Sequence, residues 1–341
     1  MKFIIKVLLI MLLASILTNL VFLLPMPQQS IQEPAPFSEV KGIFFCPEQD
    51  CQTAFLGLVD SAKQSIHCAV YDLSLDSVKQ AFFKAKLAGV DVKVVADDEQ
   101  AESKDSIVPE LKENGLAKTD KSKSAFMHNK FCVFDSNKVW VGSTNLTFND
   151  TQKNNNNFII IENKPLAENF EKEFDELWTG NFGLFSPSNT VNALNSGYEA
   201  FFCPEDKCED QISKQVSQAK TSIDCMFFVL TLDKVEEAFL EAASRGVKQR
   251  FVFEESQIQD YSSYWQLTDK NNISITLDKN PSFMHNKFCV IDDEIVWTGS
   301  MNPSKKSSQE NDESILFIKN SQAAKAYSDY FESKWLEWLE G

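Results

Sequence analysis

The chain has 341 residues, of which 43% are apolar and 28 are phenylalanines, and its formal net charge is −16 at pH 7. This length allows two domains or one large one, and the apolar fraction can fill a substantial core. Lys and Arg supply most of a protein's affinity for nucleic acid, so the acidic balance argues against a broad surface for polyanions. It leaves room for a small basic cleft.

The N-terminal segment is predicted to be a transmembrane helix. Residues 7–24 are apolar apart from three polar side chains, and Lys2 and Lys6 are the only charges among residues 1–25. A run of about 18 residues is close to the minimum that spans a bilayer. The lysines before it favour a cytoplasmic N-terminus and export of the remainder. A cleaved signal peptide is the alternative, although the run is long for one and lacks a clear cleavage site.

The rest of the chain contains one unit twice. HNKFCVFD at 128–135 recurs as HNKFCVID at 285–292, and G-S-T-N at 142–145 recurs as G-S-M-N at 299–302, both with an offset of 157 residues. A period this long indicates a duplicated domain and not a solenoid. The predicted boundaries are 1–25 for a signal-anchor, 26–41 for a Pro- and Gln-rich tether, 42–182 for the first unit, 183–197 for a linker and 198–341 for the second unit.

Each unit is predicted to alternate strands and helices. In the first copy, strands are expected at 42–45, 65–73, 91–96, 130–134, 139–141 and 158–162, and helices at 54–63, 77–88 and 166–177. Gly89 is a good stop for the second of these helices. The strand at 91–96 lacks polar alternation and is expected to be buried on both faces. The pattern predicts an α/β layer fold with a mixed, mostly parallel sheet.

The chemistry is expected in the duplicated string, which holds two of the chain's three histidines. Residues i and i+2 of a strand share a face, so His128 projects with Lys130 and His285 with Lys287. A fixed ammonium repels a metal ion, and no carboxylate or thiolate cluster accompanies the pairs, so no metal or other cofactor is expected. Two lysines suit a phosphodiester, and two imidazoles allow one to attack phosphorus while the other transfers protons.

H-x-K-x4-D followed by G-S-x-N, present twice, resembles the signature of the phospholipase D superfamily. Asn311-Asp312-Glu313 also fits the Asn-x-Glu that follows the turn in its small bacterial endonucleases and mitochondrial cardiolipin hydrolases. The resemblance covers roughly 42–180 and 198–341. It implies two tandem α/β/α units that form a pseudo-dimer with the site between them, so a monomer is sufficient for a complete site. It also implies a phosphohistidine intermediate and no metal.

The resemblance implies two half-sites. Those are His128, Lys130, Ser143 and Asn145, and His285, Lys287, Ser300 and Asn302, with the Ser and Asn side chains expected to bind the substrate phosphate. Asp135 and Asp292 complete the motif and are interpreted as supporting groups. Asn156 departs from the pattern, because Glu313 is its counterpart. If these residues back the histidine of the opposite unit, Glu313 supports His128 as nucleophile and leaves His285 as general acid and base.

The eight cysteines form four repeated pairs. Cys46/Cys51 and Cys203/Cys208 are predicted to be local disulfides of an exported domain. A four-thiolate zinc site and buried free thiols are the alternatives. The other four, on apolar strands, are predicted to be small core residues: Cys68, Cys132, Cys225 and Cys289.

The sequence therefore predicts a phospholipase D-like phosphodiesterase. A phospholipid is the favoured substrate, because the predicted anchor holds the site near a bilayer and the body is acidic. An endonuclease acting on DNA or RNA by the same mechanism is the next alternative, followed by a phosphatidyltransferase of the cardiolipin synthase type and by a non-catalytic phosphate-binding surface protein. The catalytic part is expected to be extracytoplasmic, anchored to the membrane or secreted.

Overall fold

The computed structural model describes residues 39–122, 124–183 and 197–340, apart from the side chain of the last. Residues 39–341 form one compact unit. Within it, two seven-stranded sheets follow one another along the chain, each with its own helices. The prediction of two tandem α/β units is therefore confirmed. The boundaries proposed for the tether and the linker fall largely outside the described residues and stay predictions.

The two units have the same order of elements. The first contains β1 (Val40–Cys46), α1 (Cys51–Ser61), β2 (Ser65–Val70), α2 (Asp76–Leu87), β3 (Asp91–Ala96), α3 (Asp98–Ala101), α4 (Val108–Glu113), β4 (Ala117–Thr119), β5 (Lys130–Phe134), β6 (Lys138–Gly142), α5 (Phe148–Gln152), β7 (Asn156–Glu162) and α6 (Lys164–Thr179). The second contains β8 (Tyr198–Cys203), α7 (Cys208–Gln218), β9 (Ser222–Phe227), α8 (Asp233–Ser244), β10 (Lys248–Phe253), a 3₁₀ turn (Glu255–Gln257), α9 (Ser263–Leu267), β11 (Ile273–Leu277), β12 (Lys287–Ile291), β13 (Ile295–Gly299), α10 (Lys305–Gln309), β14 (Glu313–Lys319) and α11 (Ser321–Glu340).

The sheets are mixed but mostly antiparallel, so the predicted excess of parallel pairs is wrong. The strand orders are β1-β7-β6-β5-β2-β3-β4 and β11-β10-β9-β12-β13-β14-β8. Only β2–β3–β4 and β9–β10–β11 are parallel among the described strands, where helices supply the crossovers. The short connections between β5, β6 and β7 leave no room for a crossover, and such connections join antiparallel strands. The short connections were the feature of the sequence that indicated antiparallel pairing.

The predicted transmembrane helix is a second correction to the fold class. Within residues 39–122, 124–183 and 197–340, no helix has the length and apolar content needed to cross a bilayer. The run at 7–24, on which the prediction depended, lies outside the described residues. The fold supported by the described residues is two tandem α/β units.

The two units share a central hydrophobic core. Helices α6 and α11 contribute Phe170, Phe174, Tyr327 and Phe331 to a cluster that includes residues from both sheets. Across the units, the rings of Phe45 and Tyr330 are stacked with their centroids 4.0 Å apart. Two further clusters lie on the outer faces, where α1 and α2 cover the first sheet and α7 and α8 cover the second. Each sheet is thus buried on both faces, which explains its uniformly apolar central strands.

All eight cysteines are paired in disulfides. Cys46–Cys51 and Cys203–Cys208 confirm the predicted local bridges and exclude the zinc alternative. The other four lie in the core as predicted. They are also bonded, which the sequence did not indicate: Cys68 bonds Cys132 and Cys225 bonds Cys289. Each of these pairs is 64 positions apart in sequence. Antiparallel pairing of β2 with β5, and of β9 with β12, places the two cysteines directly opposite each other.

The aspartate of each motif lies at the far end of its strand from the lysine. Asp135 follows β5, and its carboxylate accepts the backbone N–H groups of residues 63, 64 and 65 at 2.6–3.1 Å. Asp292 binds residues 220–222 in the same way. Both aspartates, although part of the motif, bind backbone N–H groups away from the histidines. Their contacts agree with the interpretation as supports that fix the start of β2 and β9.

Replacement of Asp292 by Ala should destabilise the fold and leave the chemistry intact. Removal of a carboxylate that accepts several N–H groups is expected to reduce the free energy of unfolding by about 1–3 kcal/mol. Burial works to raise the pKa of Asp292, but the N–H donors outweigh it and the pKa is lowered. The stabilisation is therefore fully present above the unfolded-state pKa of about 3.9 and is lost as pH falls through the folded-state value.

Thermal unfolding of wild type and Asp292→Ala at pH 7 and pH 2 measures this effect. The difference between them should shrink at the lower pH. A variant with wild-type stability but without activity would instead place Asp292 in the catalytic machinery.

Candidate active site

Each histidine is positioned by the opposite unit. His128 directly precedes β5, and its backbone N–H donates to the carbonyl oxygen of Asp312 at 2.9 Å. In the second unit, the N–H of His285 donates to the carbonyl oxygen of Asn155 at 2.9 Å. The residues before His128 therefore pair with the residues that lead into β14. The residues before His285 pair with those that lead into β7. This pairing brings the ends of four strands from both units to one place.

The side chains follow the same crossed arrangement. Nδ1 of His128 lies 2.8 Å from Oε2 of Glu313. Nδ1 of His285 lies 2.9 Å from Oδ1 of Asn156. The crossed backing inferred from the sequence is thus present, with a carboxylate behind one imidazole and a neutral amide behind the other. In both cases the acceptor oxygen favours the proton on Nδ1, which leaves Nε2 free to face a substrate.

The turn serines support these contacts. Ser143 Oγ donates to Oδ1 of Asn156 at 2.8 Å, and Ser300 Oγ donates to Oε2 of Glu313 at 2.6 Å. Both serines are fully buried. They were expected to bind the substrate phosphate, but their hydroxyl protons are directed at the side chains behind the histidines. Their position points to a role in orienting Asn156 and Glu313.

Glycine is required immediately before each serine. A Cβ atom on Gly142 would lie 2.1 Å from the carbonyl oxygen of Asn157, and one on Gly299 would lie 2.2 Å from that of Ser314. These distances are far below van der Waals contact, so any side chain would push β6 from β7 or β13 from β14. The close approach lets Ser143 reach Asn156 on β7 and lets Ser300 reach Glu313 on β14. It explains the G-S spacing in both copies.

The two lysines are buried beside the histidines. Lys130 Nζ donates to the carbonyl oxygen of His128, and Lys287 Nζ donates to that of His285, both at 2.8 Å. Burial lowers the pKa of Lys130 to about 8, although Glu313 opposes the shift. Burial also lowers the pKa of Lys287, and the positive charge of Lys130 adds to the effect. Each ammonium uses one donor on the described chain, which leaves two to bind phosphate oxygens.

The pKa values of the histidines show that the two half-sites form one centre. Burial lowers the pKa of His128 to about 4, with Glu313 working to raise it and both lysines working to lower it. Burial also lowers the pKa of His285 well below its usual value, and Lys287, Lys130 and His128 lower it further. Charges of the first unit thus act on the histidine of the second. Both imidazoles are held neutral until an anion enters.

The two asparagines of the turns differ. Asn145 is engaged, because its Nδ2 donates to Asp150 at 2.7 Å and its Oδ1 accepts the N–H of Asp72 at 3.3 Å. Asn302 is half-buried, and its Oδ1 has no hydrogen-bond partner among the described residues. Of these two asparagines, Asn302 is therefore the one whose side-chain oxygen is unengaged within the described residues. The Nδ2 group of Asn145 has a second N–H besides the one that binds Asp150, and its phosphate-binding role stays a prediction.

Asp150 was not identified from the sequence. It is buried, it begins no recognisable motif, and its Oδ2 lies 3.9 Å from Nδ1 of His285. Its counterpart at the 157-residue offset is Ser307. Alignment of the two copies could have found Asp150, because it is a charged residue whose counterpart in the other copy is uncharged.

Aromatic rings line both sides of the site. Tyr71 packs edge-on against His128, and Phe228 packs edge-on against His285, each with centroids 4.7 Å apart. Phe126 and Phe283 continue the two walls at 5.8 Å and 5.7 Å from the first pair. Lys306 lies over the Phe126 ring at 3.6 Å. The opening therefore combines apolar walls with a positive charge.

One group of acidic side chains in the described part of the chain lies close enough to share a metal ion. It consists of Asp97, Asp98 and Asp120 and includes neither histidine. Burial raises the pKa of Asp97 to about 6 and that of Asp120 to about 7. The histidines themselves are flanked by ammonium groups, which oppose a cation at that place.

Comparisons with known proteins agree with this site. A family described as "Cardiolipin synthase, PLD-like domain" matches residues 55–178 and 212–335. The mitochondrial cardiolipin hydrolase of Xenopus tropicalis is 29% identical over 154 residues, which are 42% of this chain and 73% of that protein. A phospholipase D of Rickettsia felis is 28% identical over 139 residues, 41% of this chain and 70% of that protein. In both relatives the aligned length corresponds to about one unit.

A solved structure extends the likeness to both units. Phosphatidylserine synthase of Haemophilus influenzae superposes with a TM-score of 0.64, at 13% identity, over 86% of this chain and 85% of its own. At that identity the likeness concerns the fold alone. The family match covers most of both units and includes both His-Lys pairs and their backing residues. The chain therefore belongs to the phospholipase D-like family and contains two copies of its domain.

Proposed function

We propose that this protein hydrolyses a phosphodiester by two successive displacements at phosphorus, with His128 as nucleophile and His285 as general acid and base. The observation that supports the assignment is the difference behind the imidazoles. Glu313 contacts His128 directly, whereas the neutral amide of Asn156 contacts His285. A phosphohistidine carries a positively charged ring, which a contacting carboxylate stabilises. A group that must give up its proton is better served by a neutral contact.

In the first step, Nε2 of His128 forms a bond to phosphorus and the bond to the leaving oxygen breaks. The electron pair goes to that oxygen, which takes the proton of His285. In the second step, water gives its proton to His285 while its oxygen bonds phosphorus. The P–N bond breaks, and its electron pair returns to His128. Lys130 and Lys287 bind the non-bridging oxygens, whose charge increases in both transition states.

A phospholipid is the substrate that we favour. The relatives that align with one unit are named for cardiolipin and phospholipid hydrolysis. The net charge of −16 opposes extended contact with a polyanion outside the site. The apolar walls formed by Tyr71, Phe126, Phe228 and Phe283 can also accommodate lipid groups on either side of the phosphate. The predicted membrane anchor lies outside the described residues and is not among the observations that favour a phospholipid.

Single-stranded nucleic acid is the second candidate, because the aromatic walls also suit stacked bases. A nucleic acid has a nucleoside on each side of the scissile phosphate, and base stacking on aromatic rings contributes about 1–3 kcal/mol per base. The rings occur as a repeated pair, one beside each histidine. Transfer to an alcohol instead of water would use the same intermediate.

An oxidising compartment is proposed for the catalytic part. Four disulfides occur within residues 39–341, and such bridges persist mainly in exported domains. This agrees with an extracytoplasmic location.

Trapping the intermediate tests the assignment of the histidines. His285→Asn should still be phosphorylated by bis(p-nitrophenyl) phosphate, because p-nitrophenolate leaves without a proton. The adduct should accumulate, because no base activates water. Peptide mass spectrometry is expected to find the phosphate on His128. His128→Asn is the matched control and should form no adduct. An adduct on His285 in that control would reverse the roles.

The dependence of kcat/KM on pH follows from the lowered pKa values. His285 must be protonated to act as acid, and its pKa is lowered, so kcat/KM for an alkyl phosphodiester should fall as pH rises towards and above neutrality. On the other side, His128 becomes protonated and loses its nucleophilic lone pair below about pH 4. The expected optimum is therefore acidic. An optimum above pH 8 would contradict this protonation scheme.

A substrate panel separates the candidates. The purified protein is expected to release headgroup from vesicles of phosphatidylcholine or cardiolipin, to leave fluorescent single-stranded DNA and RNA uncut, and to keep its activity in EDTA. Lys130→Ala/Lys287→Ala is the control for contaminating enzymes. Cleavage of nucleic acid alone would establish the second candidate. Binding of vanadate without turnover of any substrate would favour a non-catalytic phosphate-binding protein.

A further inference from the structure

Several residues beside the histidines differ between the units, and two of these differences are reciprocal. The first unit has Asn156 where the second has Glu313, and it has Asp150 where the second has Ser307. Each unit therefore places one carboxylate near the histidine of the other. Glu313 lies 2.8 Å from Nδ1 of His128, and Asp150 lies 3.9 Å from Nδ1 of His285.

The carboxylate of Asp150 is held in place by uncharged donors. Oδ2 accepts the backbone N–H and the Nδ2 group of Asn145 at 2.8 Å and 2.7 Å. Oδ1 accepts Nδ2 of Asn154 at 2.6 Å. These contacts orient Asp150 without neutralising it. Among the described residues, His285 is the one basic side chain with a nitrogen within 4.0 Å of an Asp150 oxygen. Besides the larger effect of burial, the charge of Asp150 also works to raise the pKa of Lys130, Lys287 and Asp72.

The start of the helix that bears Asp150 does not require an acid at this position. Helices α5 and α10 have the same length, and each begins with a hydroxyl that accepts the N–H three residues later, from Thr147 to Asp150 and from Ser304 to Ser307. Ser307 thus occupies the equivalent place in an equivalent helix. The acid at residue 150 accepts N–H groups of Asn145 and Asn154 and also brings a negative charge near His285.

We propose that Asp150 is a positioning residue that supplies His285 with the negative charge that the amide of Asn156 lacks. This inference rests on the proposed function, in which His285 gains and loses a proton in each cycle. At 3.9 Å the attraction is weaker than in direct contact, so the imidazolium is stabilised and can still donate its proton.

Asp150→Asn tests the proposal, because it keeps the volume and removes the charge. The turnover of an alkyl phosphodiester should fall about tenfold or more at pH 7, and the alkaline limb of its pH profile should move to lower pH. With bis(p-nitrophenyl) phosphate, the burst of p-nitrophenol should keep its wild-type rate, since His128 attacks without help from an acid. The following steady state should be slower. A parallel fall of burst and steady state would show a purely structural role and overturn the proposal.

Two further variants complete the test. Asn156→Glu in the Asp150→Asn background restores a carboxylate behind His285 and should move the alkaline limb back. It should recover part of the lost turnover, since a carboxylate in direct contact also holds the proton more tightly. Ser307→Ala is the matched control in the second unit and should leave both phases unchanged. If Asp150→Asn does not fold, Asp150→Ser replaces it, since serine occupies the equivalent position. Failure of both to fold, or absence of rescue, would overturn the proposal.

Failure of this inference is distinguishable from failure of the proposed function. A wild-type protein that forms no phosphate adduct on His128 would remove the proposed mechanism. A wild-type protein that forms the adduct, together with an Asp150→Asn variant of wild-type rate and pH profile, would remove only the role of Asp150.

Discussion

The contact between each histidine and the opposite unit is the constraint on which the site depends. Neither imidazole has its backing group in its own unit, since Glu313 orients His128 and Asn156 orients His285. The backbone of residues 127 and 284 pairs with the other unit as well. A single unit would leave its histidine without the group that fixes its tautomer. The shared core around α6 and α11 holds the two units in the required register.

The site combines burial with positive charge in an otherwise acidic protein. Lys130 and Lys287 are buried, and charges in such surroundings interact more strongly than in water. Their effect on the histidines is to keep both neutral, which suits a nucleophile but not an acid. A bound phosphate compensates the lysines and thereby favours protonation of His285. The net charge of the chain is −16, whereas two ammonium groups lie beside the histidines.

Much of the fold was predictable from local pattern. The strands at 91–96 and 130–134 were placed correctly, because apolar runs between turn residues identify them. Strand direction was misjudged, since β5, β6 and β7 return by short connections. The sequence predicted Cys68 and Cys132 as core residues but not the bond between them. Their contact depends on the pairing of β2 with β5. Asp135 was correctly interpreted as a support, although its motif suggested proximity to the chemistry.

The sequence by itself determined the duplication, the two His-Lys pairs and the replacement of Glu by Asn at residue 156, since identity and spacing are local properties. The tertiary structure decided which side chain backs which imidazole, because His128 and Glu313 are 185 positions apart and meet only when both units dock. It also placed Asp150 near His285. A carboxylate acts through distance and burial, and these become defined only when the helix that bears it packs beside the strand end of the other unit.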